Sequence, residues 1–233
     1  MRRALLTALL AAPTAALAGT IVVDTGHSPR STGSVASDGT PEFLINRGFT
    51  EVLVAELRKL GHKVIDTHAL DRDRTLYDRV RPTVGADLLI SVHHDPVQPF
   101  LVEEGLAEEL SGYSLFVSTK NKKLHASLRC AVHAGEAMNR VGEAPSRHHA
   151  ADVPGERRPL LDDRRGIYRH DDLDILKAAS SAALQLEPGV VANPYEIGKL
   201  TDRSWQARVA VEVAAEITKC VQPATQAAKE PNR

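Results

Sequence analysis

The chain has 233 residues, 29 of them basic and 30 acidic, with a formal net charge of −1. That balance gives no electrostatic case for a nucleic-acid partner, and an aromatic content of 4% leaves little to stack on bases. The length suits one domain with a sizeable core. Residues 1–18 read as a secretory leader: Met1-Arg2-Arg3 is a positive start, Ala4 to Ala12 an apolar stretch, and Ala16-Leu17-Ala18 a small-residue cleavage site. The apolar stretch is too short to span a bilayer comfortably, and no later one is long enough. The mature protein is therefore expected to be exported without a membrane anchor.

An apolar run over Thr20–Asp24 predicts a first strand. Glu42–Leu60 follows as a helix, with Phe43, Ile45, Phe49, Val52, Val54, Leu57 and Leu60 near a 3.6 period and Gly61 ending it. Lys63–His68 predicts a strand, Thr75–Val84 a short helix, and Asp87–His93 another strand. Asp95–Glu104, with Pro96 and Pro99, reads as irregular. Tyr113–Ser118 predicts a strand and Lys122–Val141 a long helix. Gly142–Asp163, with Pro145, Pro154 and Pro159, reads as an inserted loop. Ala182–Glu187 predicts the last strand and Ser204–Val221 the closing helix. Residues 222–233 form a polar tail expected to be disordered. Strands alternating with helices predict an α/β fold: a single domain over residues 19–221, with a twisted, mostly parallel sheet flanked by helices on both faces. Cys130 and Cys220 both fall in predicted helices. A disulfide between them and two buried thiols remain equally open.

Four residues stand out. His27, His93 and Glu187 each lie at the end of an apolar run, so three buried strands are expected to deliver polar, metal-capable side chains at their carboxyl ends. That edge is where open α/β sheets bind ligands. Glu42 begins a helix just after Thr40-Pro41. Alone, each has a bland explanation, since helix starts favour acids and a histidine at a strand end is commonly just hydrogen-bonded. Together, two histidines and a carboxylate make a zinc set with a position left for water, and a second carboxylate is available as a base.

The order of motifs resembles the zinc-dependent N-acetylmuramoyl-L-alanine amidases, the type 3 amidases that cut peptidoglycan. Asp24-Thr25-Gly26-His27 matches the family's opening D-x-G-H. Glu42, Asn46 and Phe49 match its E-x-x-x-N-x-x-hydrophobic helix, with Leu53 continuing the apolar face. Leu76-Tyr77-Asp78-Arg79 matches a Leu-x-x-Arg helix, and Ala86 to His93 an A-D-L-x-I-S-x-H strand. Glu187, Gly189, Asn193 and Pro194 fit the late signature. The chain departs from the pattern at Thr25, Ser28-Pro29, Ser180-Ser181 and Pro188, all predicted loop positions, and keeps the four residues in place.

The resemblance implies one zinc ion held by His27, Glu42 and His93, with Glu187 as the catalytic carboxylate. The reaction it implies is hydrolysis of the amide between N-acetylmuramic acid and L-alanine in peptidoglycan or muropeptides. A zinc exopeptidase acting on small peptides and a catalytically silent wall-binding module are the competing readings. His94 is expected to face packing or the groove, because strand neighbours point to opposite sides. Asp95 is expected as a turn cap rather than a group that orients a ligand imidazole, and His148 and His149, near Asp152, as surface loop residues rather than a second metal site or a substrate contact. Arg157, Arg158, Arg164 and Arg165 would meet acidic stem peptides or be balanced by nearby acids. The insertion is expected to line the groove. A periplasmic location is expected, and a regulatory protein partner is left open.

Overall fold

The computed structural model describes residues 18–68 and 73–221. The leader expected at 1–18 (all but Ala18) and the tail expected at 222–233 lie outside the described residues. One seven-stranded sheet organises the chain: β1 (Thr20–Thr25), β2 (Lys63–Asp66), β3 (Leu88–Val92), β4 (Ser114–Val117), β5 (Leu160–Asp162), β6 (Ile167–Arg169) and β7 (Ala182–Glu187). Their spatial order is β2-β1-β3-β7-β4-β6-β5. The first four in that order run parallel, β4 runs antiparallel to β7, and the β5–β6 pair is antiparallel at the edge.

The two faces are covered unequally. Three long helices, α1 (Glu42–Lys59), α4 (Leu124–Arg140) and α7 (Arg203–Cys220), pack on one face. Strand alternation sends Ile21, Val23, Leu88, Ile90, Leu184 and Leu186 into that layer. The opposite alternation sends Val22, Leu89, Phe116 and Ala183 to the other face, where the short α5 (Asp174–Ala178) contributes Ile175 and Leu176. Alongside lies α2 (Leu76–Val80), which begins on a capping box: Thr75 accepts from the Asp78 N–H, and the Asp78 carboxylate accepts from the Thr75 N–H. A disulfide joins Cys130 to Cys220, with Cα atoms 5.1 Å apart, and ties α4 to α7.

The five predicted strands and the four predicted helices are present, within one or two residues except where noted. The helix expected over Thr75–Val84 is α2 followed by a 3-10 turn at Arg81–Thr83, where Pro82 ends the α geometry. The segment expected to be irregular after Asp95 contains α3 (Pro99–Glu103), which Pro99 starts at the position proline favours. A further short helix, α6 (Ile197–Thr201), precedes α7. The loop expected over 142–163 ends in β5, which pairs with β6; neither strand was predicted. Among the described residues no helix is long and apolar enough to cross a membrane.

Candidate active site

β1, β3 and β7 are parallel neighbours, so their carboxyl ends meet at one edge. His93 follows β3 directly, and its N–H donates to the Leu186 carbonyl at 3.0 Å, which sets it beside the end of β7. Glu187 is the last residue of β7. His27 lies two residues past β1 with a φ of 67°, a left-handed backbone that side-chain-bearing residues adopt only under constraint. Glu42 opens α1 from the long-helix face and reaches the same point.

There the Glu42 carboxylate bridges both imidazoles. Its Oε2 lies 3.1 Å from His27 Nε2 and its Oε1 lies 3.3 Å from His93 Nδ1. The Ser34 N–H and hydroxyl donate to Oε2, and Asn46 Nδ2 and the His94 N–H donate to Oε1. Burial pushes the Glu42 carboxyl up, but the two histidines outweigh this and hold it well below the usual carboxylate range. Two glycines make the approach possible. A Cβ on Gly26 would lie 2.5 Å from the His93 ring. One on Gly33, whose φ is 76°, would lie 2.5 Å from His27 and 2.6 Å from Glu42. The donor atoms of His27, Glu42 and His93 all lie within 4.8 Å of one another, and two imidazoles with one carboxylate are a donor set suited to a divalent cation.

A cleft of about 600 Å³ opens over these residues, and Glu187 lines it together with Gln185, Arg79 and Leu173. It opens on the thinly covered face, where residues 183, 185 and 187 of β7 project. Glu187 is buried, and its Oε1 accepts from Gln185 Nε2 at 2.7 Å. Burial, joined by the Asp95 carboxylate, pushes Glu187 up to about 8; His149 and Gln185 pull the other way. Gln185 went unnoticed in the sequence, although its i+2 spacing from Glu187 places the two on one face.

In the cleft wall, Arg79 makes a bidentate pair with buried Asp24, Nε to Oδ1 at 2.9 Å and Nη2 to Oδ2 at 2.6 Å. Thr67 and Ser91 hydroxyls complete the carboxylate's bonds. This explains why an Asp three residues before His27 and an Arg on α2 occur together: they brace the end of β1. His94 is buried against Asn46, with Nδ1 at 2.7 Å from Asn46 Oδ1. Burial pulls its imidazole down to about 3, so it packs as a neutral ring. Asp95 caps its turn as expected, with Oδ1 accepting from the Val97 N–H.

The expectation of surface positions for His148 and His149 is overturned. Both side chains are 6% exposed and face Asp95. A 3-10 turn over His148–Ala150 advances only about three residues per turn, so adjacent side chains can converge where strand neighbours would diverge. Asp152, the acid nearest the two histidines in sequence, lies apart from them and pairs with exposed Arg157. The remaining loop arginines also pair with acids: Arg158 with Glu156, Arg164 with Glu136, and Arg165 with Glu136 and Asp162.

The family model for N-acetylmuramoyl-L-alanine amidases matches residues 21–219. No curated protein sequence matches the chain. Among solved structures, Ami1, the N-acetylmuramyl-L-alanine amidase of Mycobacterium smegmatis, is similar with a TM-score of 0.69 at 16% identity, over 88% of this chain and 97% of that one. The N-acetylmuramoyl-L-alanine amidase of Clostridium difficile 630 has a TM-score of 0.69 at 19% identity, over 87% and 96%. The CwlD amidase from Clostridioides difficile, solved in complex with the GerS lipoprotein, has a TM-score of 0.63 at 20% identity, over 87% and 98%. At these identities the likeness speaks to the fold, which all three share with this chain.

Proposed function

The chain belongs to the N-acetylmuramoyl-L-alanine amidase family, and from that membership we propose that it is a zinc-dependent amidase of exported location. It would cleave the bond between the N-acetylmuramic acid lactyl group and L-alanine. Residues 19–221 form the catalytic unit in this reading, exported by the leader at 1–18. The observation that carries it is the convergence of His27, Glu42 and His93 at one sheet edge, with Glu187 in the same cleft.

His27, Glu42 and His93 would hold the ion. When bound there, zinc supplies Lewis-acid polarisation of the scissile carbonyl and acidifies a water molecule. Glu187 accepts the proton from the attacking water and returns it to the leaving amine. Burial raises the Glu187 carboxyl above its ordinary value, which makes its carboxylate a stronger proton acceptor, and positive charge in the cleft favours that ionised form. Gln185 fixes the Oε1 edge, leaving Oε2 as the working oxygen. Asp24 and Arg79 position β1 and so His27.

Mass spectrometry of muropeptides digested by the zinc-loaded full chain tests the reading. The expected products are an intact sugar with a free lactyl carboxylate and a stem peptide with a free L-alanine amine. Cleavage inside the peptide would instead indicate the exopeptidase, and no cleavage the silent module.

A further inference from the structure

We propose that Asp95, His148 and His149 form a second divalent-cation site, of the zinc class, that pins the 142–163 insertion to the sheet edge beside the cleft. The site goes beyond the proposed amidase chemistry and uses none of its residues.

Asp95 Oδ2 lies 2.7 Å from His148 Nε2 and 2.9 Å from His149 Nε2. All three atoms are buried, and none has a hydrogen-bond partner. The distances suit hydrogen bonds, but the contacts do not meet hydrogen-bond geometry, and the three atoms lie within 4.8 Å of one another. Their other polar atoms are already engaged. His148 Nδ1 lies 2.6 Å from Ser146 Oγ, and His149 Nδ1 lies 2.9 Å from Glu156 Oε2. Asp95 Oδ1 accepts from the Val97 N–H.

In the neutral ring, a carboxylate accepting from Nδ1–H leaves His149 Nε2 with a lone pair, which is how metal-binding imidazoles are commonly oriented. That lone pair would face the Asp95 oxygen at 2.9 Å, a repulsive contact unless a positive charge sits between them. Donors around a tetrahedral zinc ion are spaced roughly 3.3 Å apart, given bonds of about 2.0–2.1 Å. A small outward adjustment of the three atoms admits the ion. Two imidazoles and a carboxylate select zinc over magnesium or calcium.

The position gives the site a consequence. Asp95 follows β3, whereas His148 and His149 belong to the insertion, so the ion would cross-link two chain segments. A cavity of about 120 Å³ adjoins it, lined by Asp95, His149, Glu187 and Gln185 among others. Glu187 Oε2 is 3.9 Å from His149 Nε2, so the link would fix the wall beside the proposed proton carrier.

Metal stoichiometry tests the inference. The full chain is stripped with chelator, reloaded with zinc, desalted and measured by plasma mass spectrometry. The expectation is two equivalents in the wild type and one in His148→Ala. Asp95→Asn, which keeps the side chain's size and its bond to Val97, also falls to one. The double variant His27→Ala/His93→Ala retains one. Zinc should also slow tryptic cleavage at exposed Arg157 several-fold in the wild type but not in His148→Ala. One equivalent in the wild type that survives His148→Ala and is lost in His27→Ala/His93→Ala overturns the second site and leaves the first standing; a proton then bridges Asp95 and His149. One equivalent that is lost in His148→Ala but kept in His27→Ala/His93→Ala supports the second site and overturns the first. Zero equivalents overturns both.

Discussion

Glu187 carries the proton traffic in the proposed reaction, and its replacement separates chemistry from binding. Glu187→Gln keeps the side chain's size and removes its basicity. Steady-state assays should show kcat reduced about 10²-fold or more, the scale of a general base, with zinc still bound by His27, Glu42 and His93. Unchanged kcat in zinc-loaded protein would remove Glu187 from the mechanism. Asp24 has a structural role instead. Burial pushes its carboxyl up, but Arg79, Thr67 and Ser91 outweigh this and hold it below its ordinary value. Its contribution is therefore complete above the unfolded-state value near about 4 and is lost as pH falls through the lower folded value. Asp24→Asn leaves Arg79 uncompensated and should cost about 3–5 kcal/mol at pH 7. Urea unfolding at pH 7 and in acid should show a flatter pH dependence for the variant than for the wild type. At this scale the four candidate residues that meet at the sheet edge were visible in the sequence because each ends an apolar run or starts a helix. It did not show that His148 and His149 meet Asp95 rather than Asp152, because that convergence depends on a tight turn that no periodicity announces.

Among the elements, length governs what was legible. β1, β3, β7, α1, α4 and α7 each span enough residues for an apolar period to emerge from the sequence. β5 and β6 have three residues each, and α3, α5 and α6 have five, too few to establish a period of 2.0 or 3.6. Pairing and packing with distant segments fix them instead: β6 lies against β4, and α5 covers Phe116 and Ala183. The pairing of Cys130 with Cys220 was equally unreadable, since it needed the crossing of α4 and α7. With 90 residues between its ends, the link restricts the unfolded chain strongly. Chain-entropy reasoning gives about 4–5 kcal/mol for such a loop. Thiol reductant should lower the urea midpoint of the wild type markedly and leave a Cys130→Ala/Cys220→Ala variant unaffected.

For the molecule as a whole, the asymmetry of the two layers positions the chemistry. The long helices α1, α4 and α7 bury one sheet face deeply. The other carries only short elements, and at the strand ends that cover gives way to the cleft. The heavy layer supplies rigidity and, through the start of α1, Glu42. The light layer leaves the cleft over His27, His93 and Glu187 open, which in the proposed reaction would admit a bulky polymer. The fold class and the edge of the sheet were both foreseeable from strand–helix alternation; the width of the opening was not, because it depends on the short elements. In the proposed chemistry, segments distant in sequence meet on one divalent ion. Diffraction from zinc-loaded crystals at the zinc absorption edge tests it directly. The expected result is an anomalous peak about 2.0–2.2 Å from a nitrogen of His27, a nitrogen of His93 and an oxygen of Glu42. An anomalous map with no peak among those three side chains would contradict it.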